Sequence, residues 1–85
     1  MEYRKLGSSG LKVSELSFGS WVTFHKQVDS KLAEKMFGIC LDAGVNFFDN
    51  AEGYERGMSE IVMGEALKSL GRPRDSYCVS SKVFF

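Results

Sequence analysis

Apolar residues in this chain switch repeatedly between two spacings. Short runs such as ELSFGSW, VNFFD and YCVSSKVFF have the length and composition of β-strands. Between them, Leu32, Ala33, Met36, Phe37, Cys40 and Leu41 recur at helical spacing, as do Val62, Met63, Ala66, Leu67 and Leu70. Strands that alternate with helices predict βαβ units and a parallel sheet. Local signals agree. Asp29 is a candidate N-cap for the first helix and Gly44 its C-terminal stop, while Gly71 and Pro73 end the second, which begins near Met58 or Ser59. At the start of the chain, YRKL, GSSG and LKVS read as a hairpin, with Gly7 and Gly10 available for positive φ. The expected order is a β-hairpin followed by β-α-β-α-β, one α/β unit with no internal repeat and no linker.

Composition narrows the function. The 85 residues hold 11 basic and 11 acidic side chains, which gives no electrostatic case for nucleic acid or an anionic membrane. No apolar stretch approaches the roughly 20 residues of a membrane span, so no membrane insertion is expected. MEYRKLGSSG lacks the apolar core of a signal peptide. Cys40 and Cys78 form no metal-binding spacing and read as reduced packing residues of a cytoplasmic protein, so no metal is expected.

Two parallel architectures fit the element order, a doubly wound sheet and a (β/α)8 barrel. The first calls for a glycine-rich phosphate turn after the first strand, and FGSWVTF is not GxGxxG. In either, the loops at the C-terminal ends of the strands build the site. Asp49 ends the second parallel strand, Tyr54 follows in the next loop, and Lys82 lies near the end of the third. Alternation puts Cys78, Ser80 and Lys82 on one face and Tyr77, Val79, Ser81 and Val83 on the helix-facing side. Asp49 shares its face with Phe47, so Asp49 and Lys82 are expected to point inward from neighbouring strands, with Asp49 the partner that a buried Lys82 needs. From the residues alone, an ordinary salt bridge beside a surface tyrosine is the alternative to catalysis.

FDNAEGYERGMSEIVMGEAL resembles the signature of the aldo-keto reductases: an Asp at a strand end, a Tyr five residues on, and a Gly-x-Ser-Glu helix start. LGSSGLKVS is similar to that family's N-terminal hairpin, and SSKVFF to the segment that carries its catalytic lysine. GSWVTFHKQVD with KVFF resembles the branch containing β-subunits of voltage-gated potassium channels and their bacterial relatives, from which His25 departs where a Gly is usual. The resemblance implies that residues 1–85 are the N-terminal part of a (β/α)8 TIM barrel domain. It implies NADPH-dependent reduction of aldehydes or ketones, with Tyr54 as general acid, Lys82 assisting it and Asp49 holding Lys82. It also implies that Ser20, Trp21, Gln27 and Asp49 face NADPH and a small carbonyl substrate. The family's fourth catalytic side chain and its later cofactor loops would lie beyond Phe85, so the 85 residues alone are expected to be inactive. Two other functions stay open on this resemblance: a nucleotide-binding β-subunit on a potassium channel, and a small chain that completes a barrel as a homo-oligomer.

Overall fold

The computed structural model describes residues 1–19 and 30–83. Strands β1 (Tyr3–Lys5) and β2 (Lys12–Ser14) form an antiparallel hairpin. Gly7 takes φ 59° in its turn; Gly10 does not need the positive φ that the sequence made available. Strands β3 (Phe18–Gly19), β4 (Phe47–Asp49) and β5 (Cys78–Ser80) form a parallel sheet in that order. Helices α1 (Ser30–Asp42) and α2 (Met58–Leu70) connect them. This is the expected hairpin plus β-α-β-α-β. The expected cap at Asp29 lies outside the described residues.

The core sits between the sheet and the two helices. Ala33 and Phe37 from α1, Val62, Met63, Ala66 and Leu67 from α2, and Val45, Phe48 and Tyr77 from the sheet side pack together. The aromatic members interlock edge to face. Phe37 meets Phe18 at 5.3 Å and Phe48 at 5.0 Å between ring centroids. Leu32 was expected on this face but is 47% exposed, because it lies at the margin of the helical stripe.

Helix α1 ends in a Schellman arrangement. The Val45 N–H reaches the Cys40 carbonyl at 2.9 Å and the Gly44 N–H reaches Leu41 at 3.0 Å. Gly44 supplies the required φ of 94°. The hairpin docks against this end, with the Tyr3 hydroxyl donating to the Gly44 carbonyl at 2.7 Å. Asn46 ties it further: its Oδ1 accepts from the Ser14 N–H at 2.7 Å, and its Nδ2 donates to the Lys12 carbonyl at 3.2 Å. The hairpin therefore covers the N-terminal end of the sheet and leaves the C-terminal end, where Asp49 lies, open.

Candidate functional site

The C-terminal end of the sheet is built by strand register. Asp49 pairs with Gly19 on one side and Ser80 on the other. The ladder then runs past the regular strands: the Asn50 N–H donates to the Ser80 carbonyl at 2.8 Å and the Glu52 N–H to the Lys82 carbonyl at 3.0 Å. Strand β5 is shorter than the sequence implied, and Lys82 lies two residues beyond it. These two bonds still hold the Lys82 backbone in line, because parallel pairing continues into the loop after β4.

The side chains converge as alternation predicted. Lys82 Nζ lies 3.1 Å and 3.3 Å from the two Asp49 carboxylate oxygens, 2.8 Å from the Asn50 carbonyl and 3.2 Å from the Tyr54 hydroxyl. It also sits 4.9 Å from the Tyr54 ring centroid, within cation–π range. Ser80 donates from its hydroxyl to Asp49 Oδ1 at 2.8 Å. An ammonium has three protons, and Asp49, Asn50 and Tyr54 supply three acceptors. The phenol oxygen thus accepts from Lys82, which leaves its own proton for another acceptor.

The charges respond to this packing. Partial burial pushes the Asp49 carboxyl up, but the Ser80 hydroxyl and the Lys82 ammonium outweigh it and hold the carboxyl below its ordinary value. Contact with the Tyr54 hydroxyl raises Lys82 most; partial loss of water opposes this, and Asp49 adds to the rise. Both groups stay charged at neutral pH. Burial pushes the Cys40 thiol up, in keeping with a packing role.

The expectation of a buried lysine is corrected. The Lys82 side chain is 50% exposed and that of Asp49 37%, because the described strands form a three-stranded open sheet and not a closed barrel around the pair. The helix-facing set is corrected in part. Tyr77 is buried, but Val79 is 38% and Val83 95% exposed, since β5 is an edge strand with only α2 beside it on that side. An open groove of about 500 Å³ runs between α2 and β5, over Met63, Leu67, Tyr77 and Val79. Tyr54, Asp49 and Lys82 do not line it, so its size carries no weight for the chemistry.

Ser20, Trp21, His25 and Gln27 lie outside the described residues. Two contributors escaped the sequence reading. Ser80 was legible, since it precedes Lys82 by two on the same face. Asn50 was not: its value comes from a main-chain carbonyl and a buried amide, and neither leaves a pattern. Among the described residues no group of His, Cys, Asp and Glu is arranged to hold a metal, and no helix is long and apolar enough to cross a membrane.

The fold and the site together define a class: the hairpin and first parallel strands of a TIM barrel, with a Lys–Asp–Tyr cluster at the strand ends. Residues 15–84 match the model of the Aldo/keto reductase family, and the chain belongs to that family. It is 53% identical, over all of its length, to a protein from Oryza sativa subsp. japonica named "Probable voltage-gated potassium channel subunit beta". It is equally similar, at 53%, to a protein of the same name from Arabidopsis thaliana. The chain spans 26% of each of these relatives. An aldo-keto reductase from Bacillus halodurans, solved in its holo form, superposes with a TM-score of 0.79 at 39% identity, covering 98% of this chain and 26% of that one.

Proposed function

We propose that residues 1–85 are the N-terminal part of the barrel domain of an NADPH-dependent carbonyl reductase and carry most of its proton-transfer group. The observation that supports this best is the Lys82 ammonium, held at 3.1 Å by Asp49 and placed 3.2 Å from the Tyr54 hydroxyl. In this reading NADPH, when bound, supplies hydride to the carbonyl carbon. Tyr54 donates its proton to the carbonyl oxygen as negative charge develops there. The resulting phenolate lies beside Lys82, whose charge stabilises it. Asp49 keeps Lys82 oriented and charged, and Ser80 keeps Asp49 oriented.

The strand ends that carry Tyr54, Asp49 and Lys82 would hold the cofactor's reactive end, and NADPH would supply the reducing equivalents there. Asp49, which accepts from Lys82 through both carboxylate oxygens, would lie near the nicotinamide ribose. Ser20, Trp21 and Gln27, which follow β3 in sequence, would complete that contact. The rest of the pocket would come from the remaining length of the barrel, consistent with the 26% share of the relatives that this chain spans. The 85 residues alone then lack much of the positioning such catalysis requires. A cytoplasmic location agrees with reduced cysteines and a nicotinamide cofactor.

A second function, as a nucleotide-binding regulatory β-subunit of a potassium channel, is favoured only in its channel part by the names of the relatives at 53% identity. Slow turnover with tight NADPH binding and a channel partner would select it. The test of the main reading is Tyr54→Phe in the completed barrel. Carbonyl reduction should fall at least about a hundredfold with NADPH affinity nearly unchanged, because only the proton donor is lost. Equal loss of binding and rate would remove Tyr54 from the assigned role.

A further inference from the structure

The turn that carries Tyr54 follows an uncommon path. Glu55 (φ 48°, ψ 40°) and Arg56 (φ 54°, ψ 39°) lie side by side in the left-handed region, followed by Gly57 at φ 91°. Glycine is at ease there, but L side chains are not, and among the described residues only Glu55 and Arg56 adopt a positive φ without being glycine. Such a conformation persists only where its surroundings enforce it.

Main-chain bonds hold part of this turn, with the Tyr54 N–H donating to the Ala51 carbonyl at 3.2 Å and the Arg56 N–H to the Gly53 carbonyl at 3.3 Å, and one buried side chain ties it to α2. Asn50 is 1% exposed. Its Nδ2 donates to the Ser59 carbonyl at 3.1 Å and reaches Met63 Sδ at 3.5 Å, while its Oδ1 accepts from the Ala51 N–H at 2.8 Å. A single buried amide thus fastens the chain on both sides of the turn. From inside, the Met58 N–H bonds to the carbonyls of Tyr54 and Glu55. The main-chain carbonyl of the same Asn50 is the 2.8 Å acceptor for Lys82 Nζ.

We infer that Asn50 is a positioning residue: its amide clamps the turn shut, holds Glu55 and Arg56 left-handed, and thereby sets the Tyr54 hydroxyl on Lys82. A right-handed path through residues 55 and 56 could still close a bond from Met58 to Tyr54, but with the opposite hand. It would carry the phenol away from the ammonium. The clamp makes the strained path the favoured one. The inference rests on Tyr54 and Lys82 being the reacting pair, and it predicts a specific suppressor.

The experiment is NMR on the chain, reading the nuclear Overhauser effect between the Tyr54 ring and the Lys82 ε-methylene. Asn50→Ala should reduce the population with this contact roughly tenfold, while contacts between Phe37 and Phe48 persist. Adding Glu55→Gly and Arg56→Gly to Asn50→Ala should restore it, because glycine takes the same path without enforcement. A merely structural asparagine would not be rescued by glycines elsewhere in the loop. A contact that survives Asn50→Ala, or that the glycines fail to restore, overturns the clamp. Should Asn50→Ala unfold the chain, Arg56→Gly alone gives the answer: it should raise the thermal midpoint of the clamped chain, and an unchanged or lower midpoint overturns the inference. The readout is independent of turnover. Carbonyl reduction by a Tyr54→Phe protein would sink the reaction assigned to the site and leave the clamp standing.

Discussion

Phe48 is the residue whose removal tests the packing behind the site most directly. It immediately precedes Asp49, sits on the central parallel strand and is 0% exposed. Its ring meets Phe37 at 5.0 Å and Tyr77 at 6.2 Å, both edge to face. Phe48→Ala removes that burial and leaves a cavity under α1, since both helices are pinned by other core residues and cannot collapse fully. The expected cost is about 3–5 kcal/mol, of which each lost aromatic pair accounts for roughly 0.5–1.5 kcal/mol. A domain of this size has about 4–13 kcal/mol in total, so the loss is a large fraction of it. In urea, with a slope of about 2 kcal/mol/M, the unfolding midpoint should fall by about 2 M. Val83→Ala, at a residue 95% exposed, is the control and should shift stability by less than about 0.5 kcal/mol. A Phe48→Ala cost under about 1 kcal/mol would refute the argument, because it would mean that the ring is not held between Phe37 and Tyr77.

Gly44→Ala should destabilise by at least about 1 kcal/mol, because the residue sits at φ 94° and the new Cβ would lie 2.9 Å from Tyr3 Oη and 3.0 Å from Met1 Cβ. Hydrogen exchange should show the hairpin amides losing protection first. Lys82→Met in the completed barrel should lower turnover about a hundredfold and change the pH–rate profile, since a positive charge beside the phenol is gone; an unchanged profile would argue against coupling between the two side chains. The pair also sets a pH window. Asp49 is lowered on folding, so its contribution is present above the unfolded value of about 3.9 and is lost as pH falls through the lower folded value. Lys82 is raised, so its contribution is full below about 10.4 and is lost as pH rises through the higher folded value. The small stability difference between the chain and Lys82→Met should therefore be flat from about pH 5 to 10 and vanish in acid; a transition centred near neutrality would contradict the pairing.

The element order was legible because period and punctuation agree. Leu32 to Leu41 and Val62 to Leu70 keep helical spacing, and Gly44 and Gly71 sit where the chain turns left-handed at φ 94° and 66°. The meeting of Asp49 and Lys82 was legible because side-chain alternation in two parallel strands leaves few other arrangements. The exposure of Lys82 was not, since alternation assigns a side but says nothing of what covers it. Nor were Glu55 and Arg56: nothing in YERG signals a left-handed path, and the clamp inferred at Asn50 depends on contacts to Ser59 and Met63, which lie on α2 and are remote from YERG in pattern.

Strand register, more than any single side chain, places the chemistry. Phe48 and Tyr77 must both face the helices, since the sheet has no other buried side on which to put two rings. That requirement sets Asp49 opposite Ser80, and two further ladder bonds carry the alignment to Lys82. A slip of one residue in β5 would move every side chain to the other face, offering Ser81 or Val83 to Asp49 in place of Lys82. It would also turn Tyr77 into solvent. The aromatic core and the ammonium site are consequences of the same register, and a substitution that loosens one must be felt at the other. Asn50 is where the two demands meet: its side chain is buried toward α2, while its carbonyl accepts from Lys82 on the open face.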